Sequence, residues 1–158
     1  MKKALCTLSL LLTLPLTLLA GPVEVGQPLP ALSLKDQHDQ AWQLTPETKL
    51  VLFAAGRKAS NLVLAVLSTQ PKGFLEQRKA AYLADMSRMP GFITRTFAMP
   101  SLRAQPFKVG VSLSEDTLRG WASEPEAVLL IDLEQGRVSR IRHANTEAQL
   151  RQALLPQP

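Results

Sequence analysis

KLVLFAAGRKASNLVLAVL, residues 49–67, is the stretch on which the fold turns. Its first six residues form a short, almost wholly apolar run, the pattern of a strand buried on both faces. Gly56 ends that strand. Ser60 or Asn61 has the side-chain oxygen that caps a helix start. Leu62, Val63, Ala65, Val66 and Leu67 carry the helix forward until it stops before Pro71.

Outward from this unit, residues 80–86 (AAYLADM) read as a second strand. Residues 92–98 read as a helical turn or two, with another short piece starting near Pro100. FKVGVSL, residues 107–113, alternates like a strand, and VLLID, residues 128–132, is a second buried run. Glu134, Gln135 and Gly136 make a turn, and residues 137–143 alternate Val138 and Ile141 with arginines, as a half-exposed partner strand does. Thr146 caps a last helix with Leu150, Ala153 and Leu154 on one face. The order is β-α-β-α-β, a β-hairpin and a closing helix. That pattern predicts an α/β three-layer sandwich, a mixed central sheet flanked by helices. The prolines of PVEVGQPLP, residues 22–30, predict an extended arm, and Pro156, Gln157 and Pro158 a frayed tail. Trp42, Trp121, Tyr82, Phe53, Phe74, Phe92, Phe97 and Phe107 are expected to supply core mass, with Met86, Met89 and Met99 as gap fillers.

Residues 1–20 have the layout of a secretory signal peptide: Lys2 and Lys3, an apolar run over residues 5–19 broken by Pro15, then the small residues Ala20 and Gly21. The run is shorter than the roughly 20 residues of a membrane span. Cleavage is expected after Ala20, with Gly21 as the alternative site and an uncleaved anchor as the competing reading. The expected organisation is therefore a signal peptide, 1–20, and one domain, 21–158, working in the periplasm. Cys6 is the one cysteine of the chain and lies inside the apolar run. Its removal would leave no disulfide, thiolate nucleophile or cysteine metal ligand. This weighs against an enzyme, and specifically against a thiol–disulfide oxidoreductase or peroxidase; no catalytic residue and no cofactor is assigned.

The formal net charge of +5 falls to +3 without Lys2 and Lys3. Between Arg57 and Lys108 stand nine lysines and arginines against only Glu76 and Asp85, so the middle of the chain is basic. Such a middle suits an anionic small molecule, an acidic protein or a membrane surface, or it is simply solvated. An exported chain without a nucleic-acid-binding motif is not expected to bind nucleic acid. His38 sits in a polar turn beside Asp36 and Asp39, and His143 ends a strand. Neither belongs to a recognisable nucleophile motif, and no metal site is assigned.

GQPLPALSLKDQHDQAWQL, residues 26–44, resembles the entry arm and small hairpin of the redoxin and TlpA-like branch of the thioredoxin superfamily. Residues 49–53 resemble its first core strand, and Pro125 followed by VLLID resembles the stretch where that branch places a cis-proline. Ala55-Gly56-Arg57, Pro90-Gly91 and VLLID are similar to the YtfJ-like periplasmic proteins, which share the plan. The resemblance implies a thioredoxin-like fold in which Lys58 and Asn61 occupy the places of the two redox cysteines. A helix amino terminus with Arg57 and Lys58 beside it would bind anions, so Arg57, Lys58, Ser60 and Asn61 form the candidate cradle for a phosphate or carboxylate. With Pro125 cis, Glu124 is expected to reach Arg57 or Lys58. The expected function is a binding or accessory module for a periplasmic protein or anionic small molecule. The alternatives are an enzyme with non-thiol chemistry and a peripheral envelope protein on anionic lipid.

Overall fold

The computed structural model describes residues 21–121 and 124–155; the expected signal peptide and the tail prolines lie outside them. Strands β1 (Leu34–Asp36) and β2 (Ala41–Trp42) form a small hairpin. Strand β3 (Leu50–Ala54) leads into helix α1 (Arg57–Leu67), a short helix α2 (Phe74–Gln77) and strand β4 (Ala80–Asp85). Helix α3 (Gly91–Ile93), a π-helical turn (Thr94–Ala98) and helix α4 (Met99–Arg103) run as one piece to β5 (Val109–Ser112). The hairpin β6 (Val128–Glu134) and β7 (Arg137–Ala144) and helix α5 (Glu147–Ala153) complete the chain. All seven strands form one mixed sheet in the order β2-β1-β5-β4-β3-β6-β7. Strands β3, β4 and β5 are parallel, while β1 and β6 close on them antiparallel.

Every residue of β3 is buried because the strand lies inside the sheet, between β4 and β6, with both faces covered. Leu50, Leu52 and Ala54 face one apolar cluster, which takes Ala59, Val63, Val66 and Leu67 of α1 together with Leu102 and Leu150. Those four α1 positions recur at one helical face. Val51 and Phe53 face the other cluster, closed by Val23 and Leu32 of the amino-terminal arm and by Leu118 and Trp121. The Phe53 and Trp121 rings meet edge to face at 5.2 Å. The sheet is thus the middle of three layers, with helices on one side and the arm and the 118–121 turn on the other.

Three local expectations change. Helix α1 starts at Arg57, three residues ahead of Ser60. Gly56 is its N-cap in extended backbone, and the Ser60 amide already bonds the Gly56 carbonyl, which puts Ser60 inside the first turn. Strand β5 is buried along its whole length rather than on alternate residues, since β1 and β4 flank it and both faces are covered. Phe92 and Phe97 do not enter the core: they are 62% and 59% exposed. Thr146 does cap α5, accepting from the Gln149 amide.

The polar turn around His38 has an unexpected anchor. Asp36 accepts from the amides of His38 and Gln40, and Gln37 turns inward to 1% exposure. Its side chain donates to the Phe107 carbonyl at 2.7 Å and accepts from the Val109 amide at 3.0 Å. The turn is therefore fastened to the head of β5 rather than left free in water.

Candidate functional site

Parallel strands of an open α/β sheet present their ligands at the carboxyl ends, where loops diverge. At that end of β3 stands the head of α1. Its first turn carries no acidic residue and no side-chain cap. The amides of Arg57, Lys58 and Ala59 have no hydrogen-bond partner among the described residues. Three N–H groups therefore point outward at the positive end of an 11-residue helix.

The 124–127 turn leans on this head. A Cβ on Gly56 would overlap the Pro125 carbonyl oxygen and meet its carbonyl carbon and Cα at 3.0 Å. The proline loop thus sits where the resemblance implies, but Pro125 is not cis: every peptide bond among the described residues is trans. The expected Glu124 partnership is also replaced. Lys58 Nζ instead donates to Glu126 Oε2 at 2.9 Å, while Glu124 makes no ion pair among the described residues. The trans bond and the turn that follows it bring the acid two residues further on to the lysine. Both partners of this pair are largely exposed, and such pairs contribute less than about 1 kcal/mol. Arg57 is exposed and has no carboxylate within ion-pair distance among the described residues. Asn61 is exposed one turn along, and Ser60 is half-buried.

Ser60 belongs as much to the core as to the surface, because its hydroxyl lies toward the phenol of Tyr82 on β4. That phenol is fully buried, its oxygen makes no hydrogen bond among the described residues, and its ring lies 6.3 Å from that of Phe107. Burial pushes the Tyr82 pKa up to about 12. The folded protein keeps a proton that the unfolded chain releases near pH 10, so stability is whole below pH 10 and falls as the pH rises toward 12. The loss reaches about 2–3 kcal/mol. Tyr82 is the sole tyrosine, so phenolate absorbance at alkaline pH reads it directly. The folded protein is expected to titrate near 12, and Tyr82→Phe to lose this alkaline limb; a folded-state midpoint near 10 would contradict the buried geometry.

Beside the head lies a cleft of about 190 Å³ between the ends of β3 and β4, walled by Ala55, Asp85, Arg88, Arg119 and Trp121. Arg119 is paired with Asp116. Two larger clefts, about 660 and 980 Å³, share Pro46, Glu47, Thr48 and Lys79 and open where the parallel strands begin. Volume alone favours those, yet neither is lined by α1 or by any of the candidate site residues Arg57, Lys58, Ser60 and Asn61. The sequence reading missed Glu126; the available signal was its place next to Pro125, in the stretch the resemblance set against the helix head.

No protein-family model and no curated protein matches the chain. Solved structures do. A peroxidoxin, BcpB, from Mycobacterium tuberculosis aligns with a TM-score of 0.55 at 9% identity, covering 84% of this chain and 94% of its own. The thioredoxin domain of a thiol-disulfide oxidoreductase from Bacteroides vulgatus aligns with a TM-score of 0.53 at 12% identity over 84% and 99% of the two chains. A thio-disulfide isomerase from Thermus thermophilus gives 0.51 at 15% identity over 84% and 95%. These matches correct the expectation that weighed against an enzyme and against thiol–disulfide or peroxidase chemistry. The chain is built on an architecture that solved proteins named for those activities use, so the fold gives no ground for setting them aside. At these identities the likeness carries the architecture alone: the chain has the thioredoxin-like fold, with Arg57, Lys58, Ser60 and Asn61 on the first turns of the helix that follows its central strand.

Proposed function

We propose that this protein is an exported, YtfJ-like binding module of the periplasm, which holds an anionic group of a partner protein or small molecule at the head of α1. The observation that carries this reading is the uncapped helix start: three unpartnered amides flanked by Arg57 and Lys58. The Glu126 carboxylate on Lys58 supports it as well, because it is a carboxylate at an exposed position that an incoming phosphate or carboxylate can displace.

The test is thermal unfolding of the full chain in inorganic phosphate. A ligand at a hundredfold its dissociation constant adds about 2.7 kcal/mol, which raises the melting temperature by several degrees. That rise is expected in the wild type and absent in Arg57→Ala/Lys58→Ala, whose side chains are exposed and whose fold should be unchanged. Glu126→Gln frees Lys58 and is expected to tighten phosphate binding about threefold. Phosphate that stabilises the wild type and the double variant equally would overturn the reading. So would catalysed reduction of insulin disulfides that disappears in Cys6→Ser, because it would assign the protein's work to the thiol.

A further inference from the structure

We infer that the piece between β4 and β5, with Phe92, Arg95 and Phe97 on its outer side, docks the protein on the headgroup layer of an anionic lipid bilayer. The inference is independent of the α1 head.

Two phenylalanines stand in solvent side by side. Phe92 and Phe97 are 62% and 59% exposed, and their rings meet at right angles with centroids 6.1 Å apart. The π-helical turn explains the pairing. Residues five apart diverge around an α-helix, but the wider π-turn returns residue i+5 to the side of residue i. An unusual backbone conformation therefore brings two large apolar side chains together on the outside, while Thr94, Met99 and Leu102 supply the inward contacts.

Within the segment that carries the rings, the charged residues are of one sign. Residues 86–114 contain no aspartate or glutamate. Arg88 and Arg95 flank Phe92, are exposed, and have no carboxylate within ion-pair distance among the described residues. Leu113, 63% exposed, follows β5 at the same end of the sheet, where Arg57 and Lys58 also emerge from β3. That sheet end thus presents aromatic and aliphatic tips among the cations Arg57, Arg88 and Arg95, which have no carboxylate within ion-pair distance among the described residues, and Lys58, which is paired with Glu126.

This combination suits a bilayer interface, where apolar tips enter the acyl boundary and arginines remain among lipid phosphates. An acidic protein would need a shaped surface in return, and the clefts described are walled by other residues than Phe92, Arg95 and Phe97. Among the described residues no helix is long and apolar enough to cross a membrane.

The test uses the full chain carrying Cys6→Ser and Thr96→Cys, labelled at position 96 with a polarity-sensitive fluorophore; a control carries the label at Gln152→Cys on α5. Residues 5–19 can hold the whole protein on vesicles by themselves, so the readout is the local environment of the label rather than sedimentation. Vesicles of equal parts phosphatidylglycerol and phosphatidylcholine are expected to shift the position-96 emission to the blue and to quench it through lipid-borne nitroxides. Pure phosphatidylcholine should do neither, and the control label should remain in water. Raising salt from about 0.05 M to about 0.5 M should weaken the response. Phe92→Ser/Phe97→Ser should reduce apparent partitioning at least tenfold, and Arg88→Glu/Arg95→Glu should do the same with both rings in place; each variant is accepted on an unchanged melting temperature. A position-96 label that stays in water on both vesicle types overturns the inference and leaves an acidic protein as occupant of this face. An equal response at position 152, or a response that survives both double variants, overturns it as well.

Discussion

Gly56→Ala is expected to lower the melting temperature by about 10 °C, a cost of about 2–4 kcal/mol. The cause is space and not backbone conformation. Gly56 has φ −153°, an extended value that alanine adopts freely. The added methyl, however, would occupy the place of the Pro125 carbonyl, with two further backbone atoms of Pro125 at 3.0 Å. Backbone cannot swing aside as a side chain does, so either the 124–127 turn or the head of α1 must move. Both flank the proposed anion site, and the same variant should weaken phosphate binding more than its loss of stability explains. A melting temperature within about 2 °C of the wild type would contradict the close packing of the proline loop on the helix head.

Gln37→Ala is expected to cost about 2–4 kcal/mol. The Gln37 side chain donates to the Phe107 carbonyl at 2.7 Å and, more weakly, to the Leu102 carbonyl at 3.4 Å, while accepting from the Val109 amide at 3.0 Å. Its main-chain carbonyl accepts from Arg103 Nε at 2.8 Å. One amide thus ties the β1–β2 turn to the end of α4 and to the first residue of β5. Truncation leaves a buried acceptor and a buried donor unpaired and opens a cavity. Hydrogen exchange at the Val109 amide should quicken well beyond that of the β3 amides. A variant with wild-type stability and unchanged protection at Val109 would show that water replaces the amide at little cost.

The parts of the fold legible in the sequence are those where one pattern dominates. Residues 50–54 and 128–131 are apolar on both faces because their strands lie side by side inside the sheet with both faces covered, and that produces an uninterrupted run. The spacing of Leu150, Ala153 and Leu154 behind Thr146 marked α5 for the same kind of reason. Where two forces compete, the pattern misled. Ser60 has the right side chain for a cap, but Gly56 packs under the Pro125 carbonyl and the helix begins there instead. Gln37 reads as one polar residue of a polar turn, and nothing local shows that it turns inward to partners 65 to 72 residues away. Phe92 and Phe97 read as core by residue type alone, since a π-turn leaves no periodic signature. At the candidate site, Arg57 and Lys58 emerge together at the helix head, whereas the acid that meets Lys58 depends on the course of the 124–127 turn and proved to be Glu126.

The most direct measurement is an amide-resolved nuclear magnetic resonance titration of the full chain with inorganic phosphate. Saturable shifts are expected at the amides of Arg57, Lys58 and Ala59, with smaller movement at Glu126 as Lys58 changes partner, and loss of all of these in Arg57→Ala/Lys58→Ala. Amides at the head of α1 that stay still while phosphate binds elsewhere, or that move identically in the double variant, would contradict the proposed anion site.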